Sequence, residues 1–152
     1  MTNRRVQAAV IAATAGGGLL TAAFLQAAIG VAQLERFDEM VAKRRSLAAR
    51  YATALAPIAD QLETIEIPNG MVPVPWLQNV YIKDCNAARR DAIMLRLKEH
   101  GVDSRPVFYP MHVLPEYLSD TTFPVADDWS ARGISLPLHT ALSLDDIDYV
   151  CS

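Results

Sequence analysis

From about Phe24 the apolar positions recur at three- and four-residue steps: Leu25, Ile29, Ala32, Phe37, Met40, Val41, Leu47, Ala48, Tyr51 and Leu55. Charged residues fill the opposite positions, with Glu39 and Lys43 at the favourable i,i+4 spacing. This pattern predicts one amphipathic helix over 24–56, stopped by Pro57 and roughly 45 Å long. Beyond it the period changes. Ile65-Glu66-Ile67 reads as a short edge strand, Trp76–Lys83 as an aromatic and β-branched strand, and Asp103–Phe108 as another. Between these strands Asn86 caps a helix over Ala87–His100, with Ala88, Ile93, Met94 and Leu97 facing inward and Gly101 at its stop. Pro124 opens a short helix ending at Gly133, Ile134-Ser135-Leu136 makes a brief strand, and Ser143 caps a last helix with Leu144, Ile147 and Val150 inward. Strands and helices alternate over 57–152, so the expected fold is α+β, a small mostly antiparallel sheet covered by helices behind a long first helix.

Composition narrows the function. A chain of 152 residues can bury a core. Its net charge of −3, with both signs interspersed, argues against a nucleic-acid partner. Cys85 and Cys151 lack metal-ligand spacing and read as free thiols of a reducing compartment. The amino end is different. After Arg4 and Arg5 no charge appears before Glu35, and Gly16-Gly17-Gly18 interrupts an alanine-rich run. Residues 1–23 are expected to be an atypical apolar extension, with a membrane association through residues 6–34 as the alternative to a cytoplasmic location.

The chemistry-bearing stretch is Arg105-Pro106-Val107-Phe108-Tyr109-Pro110-Met111-His112. Its arginine offers a planar fork of donors for phosphate or carboxylate. Tyrosine and histidine add a stacking face and hydrogen-bonding tips. Two prolines stiffen the segment into a strand edge running into a held loop. An ordinary surface loop, with His112 bonded to backbone, is the plain alternative. His100 suits a helix end, and His139 follows a proline turn. Asp127, Asp128, Asp145, Asp146 and Asp148 fall at helix starts, as solvated acids rather than metal ligands.

Several motifs in order carry a resemblance. Residues 26–36 (QAAIGVAQLER), Lys43-Arg44-Arg45, Tyr51, Arg89–Met94 with Gly101-Val102, the RPVFYPMH stretch, Phe123–Ala126 and Gly133–Pro137 resemble the DegT/DnrJ/StrS aminotransferases. The RPxFYPMH wording is most similar to the branch that aminates GDP-4-keto-6-deoxymannose. The resemblance implies the carboxy-terminal small domain, over 24–152, of a fold-type I enzyme: a linking helix at 24–56 and an α/β part at 57–152. It implies pyridoxal phosphate as cofactor of the whole enzyme, glutamate as amino donor, a nucleotide-sugar substrate and a homo-oligomer built through the long helix. Carried over position by position, Arg105, Tyr109 and His112 are the expected substrate contacts, Arg105 for anionic or hydroxyl groups and the other two to orient the sugar.

Two departures accompany it. Lys43, Lys83 and Lys98 are the only lysines, and none stands in the family's cofactor setting. The family's Asn-x-Arg pair ahead of the long helix falls on Leu19 and Thr21. The chain is therefore expected to bind no cofactor alone, to lack the large domain and to be inactive by itself. A non-catalytic interaction module, membrane-tethered through its apolar start, is the alternative.

Overall fold

The computed structural model describes residues 22–65 and 67–152. The chain divides into two compact units, Met1–Met40 and Val41–Ser152. In the first, residues 22–35 form helix α1, and Arg36 interrupts the ladder. The Arg36 N–H bonds back three residues to the Gln33 carbonyl at 3.2 Å, and helix α2, Phe37–Ala54, begins directly after it. Two helical stretches thus occupy the range where one was expected. The exposed Arg36–Glu39 ion pair spans the interruption. Along this stretch the large apolar residues are open: Phe24, Leu25, Ile29, Val31, Leu34 and Phe37 are all exposed.

In the second unit the same apolar period leads into a core. Leu47 and Tyr51 of α2 are fully buried, and the Tyr51 hydroxyl donates to the Pro137 carbonyl at 2.8 Å. Helix α2 stops at Ala54, and a 3-10 turn at Ala56–Ile58 takes up Pro57, which cannot donate into a helical ladder. Four strands follow: β1 Leu62–Glu63, β2 Gln78–Ile82, β3 Arg105–Pro106 and β4 Gly133–Leu136. They form an antiparallel sheet in the order β1-β2-β4-β3, with Val80 opposite Ile134 and Asn79 opposite Ser135. The first edge strand lies at Leu62–Glu63, not at Ile65–Ile67, whose middle residue is outside the described positions. Edge strand β3, Arg105–Pro106, is shorter than the Asp103–Phe108 expected; it pairs on one side only, with β4, an edge position that tolerates the missing N–H of Pro106.

Alternation along β2 and β4 gives the sheet two faces. Val80, Ile134 and Leu136 join Leu47, Tyr51, Leu138 and Ile147 in the core. Ile93, Met94 and Leu97 of helix α3, Ala87–Glu99, pack against that cluster, while Ala88 is exposed. Asn86 caps α3, its side chain accepting from the Arg89 N–H at 2.9 Å. Gly101, at φ 76°, sits just beyond the helix in the left-handed region that a C-terminal stop requires. Tyr81 faces the other way and meets Trp129 of helix α4, Pro124–Arg132, with ring centroids 4.5 Å apart. Helix α5, Leu144–Cys151, carries a capping box between Ser143 and Asp146. Of its apolar residues Ile147 is fully buried and Leu144 is exposed. A bidentate ion pair of Arg50 with Asp148 fastens α5 to α2.

Candidate functional site

The chemistry-bearing stretch is built on the sheet edge. Arg105 pairs with Ser135 across β3 and β4, and the Val107 N–H continues the pairing by donating to the Gly133 carbonyl at 3.1 Å. Gly133 is required here for space. A Cβ on it would lie 2.7 Å from the Trp129 carbonyl oxygen and as close to the Val107 methyls, inside any real contact distance. Val107 is therefore buried, and alternation turns Phe108 outward, with Tyr109 exposed beside it. Pro110 then leads into a 3-10 turn over Met111–Val113.

Arg105, Phe108, Tyr109 and Ser135 line one cavity of about 260 Å³. Among the described residues no hydrogen bond or ion pair engages the Arg105 guanidinium; its Cζ lies 5.6 Å from the centre of the Phe108 ring. His112 is placed otherwise. Its side chain is 13% exposed, and its Nε2 lies 2.9 Å from Oδ1 of Asp127. Its ring meets Phe123 at 5.0 Å between centroids. Asp127 also accepts from the Phe123 N–H at 3.3 Å, and the His112 carbonyl accepts from the Ser119 N–H. His112 is thus a loop histidine anchored by a carboxylate on α4, and not one of the residues lining the Arg105–Tyr109 cavity.

The remaining polar candidates are structural. His100 Nδ1 pairs with the Arg96 carbonyl at 2.8 Å at the end of α3. His139 is exposed and lines a second cavity, of about 270 Å³, with Asp103, Ser104 and Arg105. Asp146 caps α5, and hydrogen bonds from the Ser143 N–H and hydroxyl hold its carboxyl below the usual carboxylate range. Asp148 is held down in the same way by its hydrogen bond from Arg50. Cys85 and Cys151 are free thiols, and burial pushes Cys151 up. Among the described residues no cluster of three or more His, Cys, Asp or Glu could hold a metal.

Four features were not visible from local spacing. Arg90 is buried and spans α3 and α4, donating to the Ser130 carbonyl at 2.6 Å and to the neighbouring Asp91. Arg132, also buried, joins Asp128 and Glu63 at 2.7 Å each and lies over Tyr81, tying α4 to β1 and β2. Trp76 stacks on Phe108. The Ser104 hydroxyl is buried with no partner among the described residues. Of these, Trp76 headed the stretch Trp76–Lys83 read as a strand and Arg90 stood in the Arg89–Met94 motif, but no contact of either was read from the sequence.

The three lysines decide how a cofactor could be held. Lys83 is exposed and donates to the Asp60 carbonyl at 3.0 Å. Lys98 is exposed on α3, and Lys43 is half-buried on α2. An amine that forms a Schiff base needs a desolvated pocket to stay unprotonated. None of the three has one, so these residues do not fit pyridoxal phosphate.

The DegT/DnrJ/EryC1/StrS aminotransferase family profile matches residues 21–152, and this chain belongs to that family. It is 37% identical to GDP-perosamine synthase of Vibrio cholerae over 131 residues, which is 84% of this chain and 35% of the relative. It is 35% identical to GDP-perosamine synthase of Caulobacter vibrioides, covering 83% of this chain and 34% of that one. Among solved structures, the aminotransferase TlmJ of Streptoalloteichus hindustanus superposes with a TM-score of 0.72 at 32% identity, over 81% of this chain and 33% of TlmJ. The chain spans about a third of the length of these relatives. Among the described residues no helix is long and apolar enough to cross a membrane.

Proposed function

We propose that this chain supplies the sugar-facing small domain, over 24–152, of a nucleotide-sugar aminotransferase, and does not aminate on its own. In the whole family member the reaction moves an amino group from glutamate to a 4-keto-6-deoxy sugar nucleotide, and pyridoxal phosphate supplies the carbanion-stabilising chemistry. Within this chain Arg105 binds an anionic or hydroxyl group, and Tyr109 and His112 orient the sugar. The observation that carries the reading is the cavity at Arg105–Tyr109, edged by a guanidinium with no hydrogen-bond or ion-pair partner among the described residues, on a chain of this family. The likeness to two GDP-perosamine synthases supports a GDP-linked substrate. A cytoplasmic location belongs to the same reading.

The exposed stripe from Phe24 to Phe37 supports homo-oligomer formation through α1, and equally a second reading, a non-catalytic interaction module using that stripe or tethered through residues 6–34. Borohydride reduction of the chain mixed with pyridoxal phosphate tests the first reading. Mass spectrometry is expected to find scattered, substoichiometric lysine adducts. One lysine labelled to completion, or turnover of a keto-sugar by the 152-residue chain with glutamate, would refute it. Light scattering on the same sample is expected above monomer mass, and a stable monomer would remove the role given to the stripe.

A further inference from the structure

Trp76 and Phe108 are stacked, their centroids 5.9 Å apart and planes 28° apart, yet they are 61% and 66% exposed. Both rings therefore leave much of their large apolar area in contact with water. Here each ring keeps an outer face. The pair is also held in place: Arg44 of α2 donates to the Pro75 carbonyl at 3.2 Å and the Trp76 carbonyl at 3.3 Å, so the loop carrying the indole is braced against a helix. A surface already in its binding geometry loses less entropy when a ligand arrives.

Charge distinguishes what the pair could receive. Arg50, Arg90 and Arg132 spend their donors on carboxylates and carbonyls. Arg105, beside Phe108, has no such partner among the described residues. An apolar protein segment laid on this patch would strip water from that guanidinium and give it no counter-charge. A planar anion does the reverse: its ring continues the aromatic stack and its phosphate takes the planar fork of donors. Arg105 also lines the second cavity, with Asp103, Ser135, His139 and Ser104, whose buried hydroxyl has no hydrogen-bond partner among the described residues. Buried hydroxyls are nearly always hydrogen-bonded, so this one marks a polar position next to the arginine.

We infer that Trp76, Phe108 and Arg105 form a seat for a nucleoside diphosphate, the base on the aromatic pair and the diphosphate on the guanidinium. The inference rests on the sugar-nucleotide reading above and adds to it the residues that take the nucleotide end. Trp76, remote in sequence from the RPxFYPMH stretch, becomes a specificity-determining residue of the same site.

Calorimetric titration of the 152-residue chain with GDP, and separately with inorganic pyrophosphate, tests it. Trp76→Ala and Phe108→Ala are each expected to weaken GDP binding about tenfold while leaving pyrophosphate unchanged; Arg105→Gln is expected to weaken both. The substituted side chains are exposed, and thermal melts should confirm that the variants fold. GDP binding unaltered by Trp76→Ala, or no GDP binding to the unmodified chain, would overturn the seat. If a nucleotide sugar still perturbs Tyr109 and His112 in Trp76→Ala with undiminished affinity, the seat is wrong and the sugar-wall reading stands. If it perturbs them in neither protein, both fall.

Discussion

Strand β4 and the stretch that follows β3 are similarly apolar in sequence, but they meet opposite fates. Every residue of Gly133–Leu136 is buried. Between Phe108 and Val125, by contrast, Phe108, Tyr109, Met111, Val113, Tyr117, Leu118, Phe123 and Val125 are all exposed. The difference lies in the backbone. Strand β4 is paired on both sides, by β2 and β3, and its side chains are covered on both faces. The other stretch carries Pro110, Pro115 and Pro124, which cannot donate to a ladder, and it turns through two 3-10 segments instead. Apolar residues without a ladder to hold them over a core stay on the surface.

The contrast can be broken most forcefully at β4. Ile134→Ala removes a side chain that is 1% exposed and should cost about 2–5 kcal/mol in urea unfolding. Leu118→Ser, in the exposed stretch, should stay within about 0.5 kcal/mol. Comparable losses at the two positions would show that the stretch belongs to the core after all.

A smaller effect is expected at α5, which is held by charge as well as by Ile147. The carboxyls of Asp148 and Asp146 are depressed, by the hydrogen bonds from Arg50 and from Ser143 respectively. A depressed carboxyl binds its proton less readily in the folded chain than in the unfolded one. Its contribution is therefore complete above the unfolded value of about 4 and disappears as pH falls through the lower folded value. Melting temperature should be level from neutral pH down to about 5 and fall below about 4. Asp148→Asn should start lower at neutral pH and decline less steeply in acid. Parallel curves for the two proteins would mean that this pair does not hold the helix.

Local chemistry was legible wherever one residue acts on its near neighbours. Asn86 and Ser143 declared their caps, Pro57 and Gly101 the helix ends, and the alternation of strand and helix the sheet that forms. The short strands were less legible, because β1 at Leu62–Glu63 and β3 at Arg105–Pro106 are edge strands with one partner each, and side-chain pattern alone does not say how far such a ladder runs. Contacts between distant residues left no local mark. Arg132 reaches Glu63, Arg90 reaches Ser130, Trp76 meets Phe108, and His112 is anchored on Asp127. Nor does a 3.6-residue period say what covers it: the same stripe buries Leu47 and Tyr51 and leaves Phe24 to Phe37 open. Of the expected contact residues, Arg105 and Tyr109 share a cavity, and His112 is outside its lining, paired with Asp127.

The claim that this chain carries a sugar-nucleotide wall is tested most directly by nuclear magnetic resonance with a GDP-linked 4-keto-6-deoxy sugar added to the labelled 152-residue protein. Shift changes concentrated at Arg105, Tyr109 and His112, with Ile134 and Ile147 unmoved, are the predicted result. Saturating ligand that leaves those three signals in place, or that moves only the exposed face of α1, would contradict it.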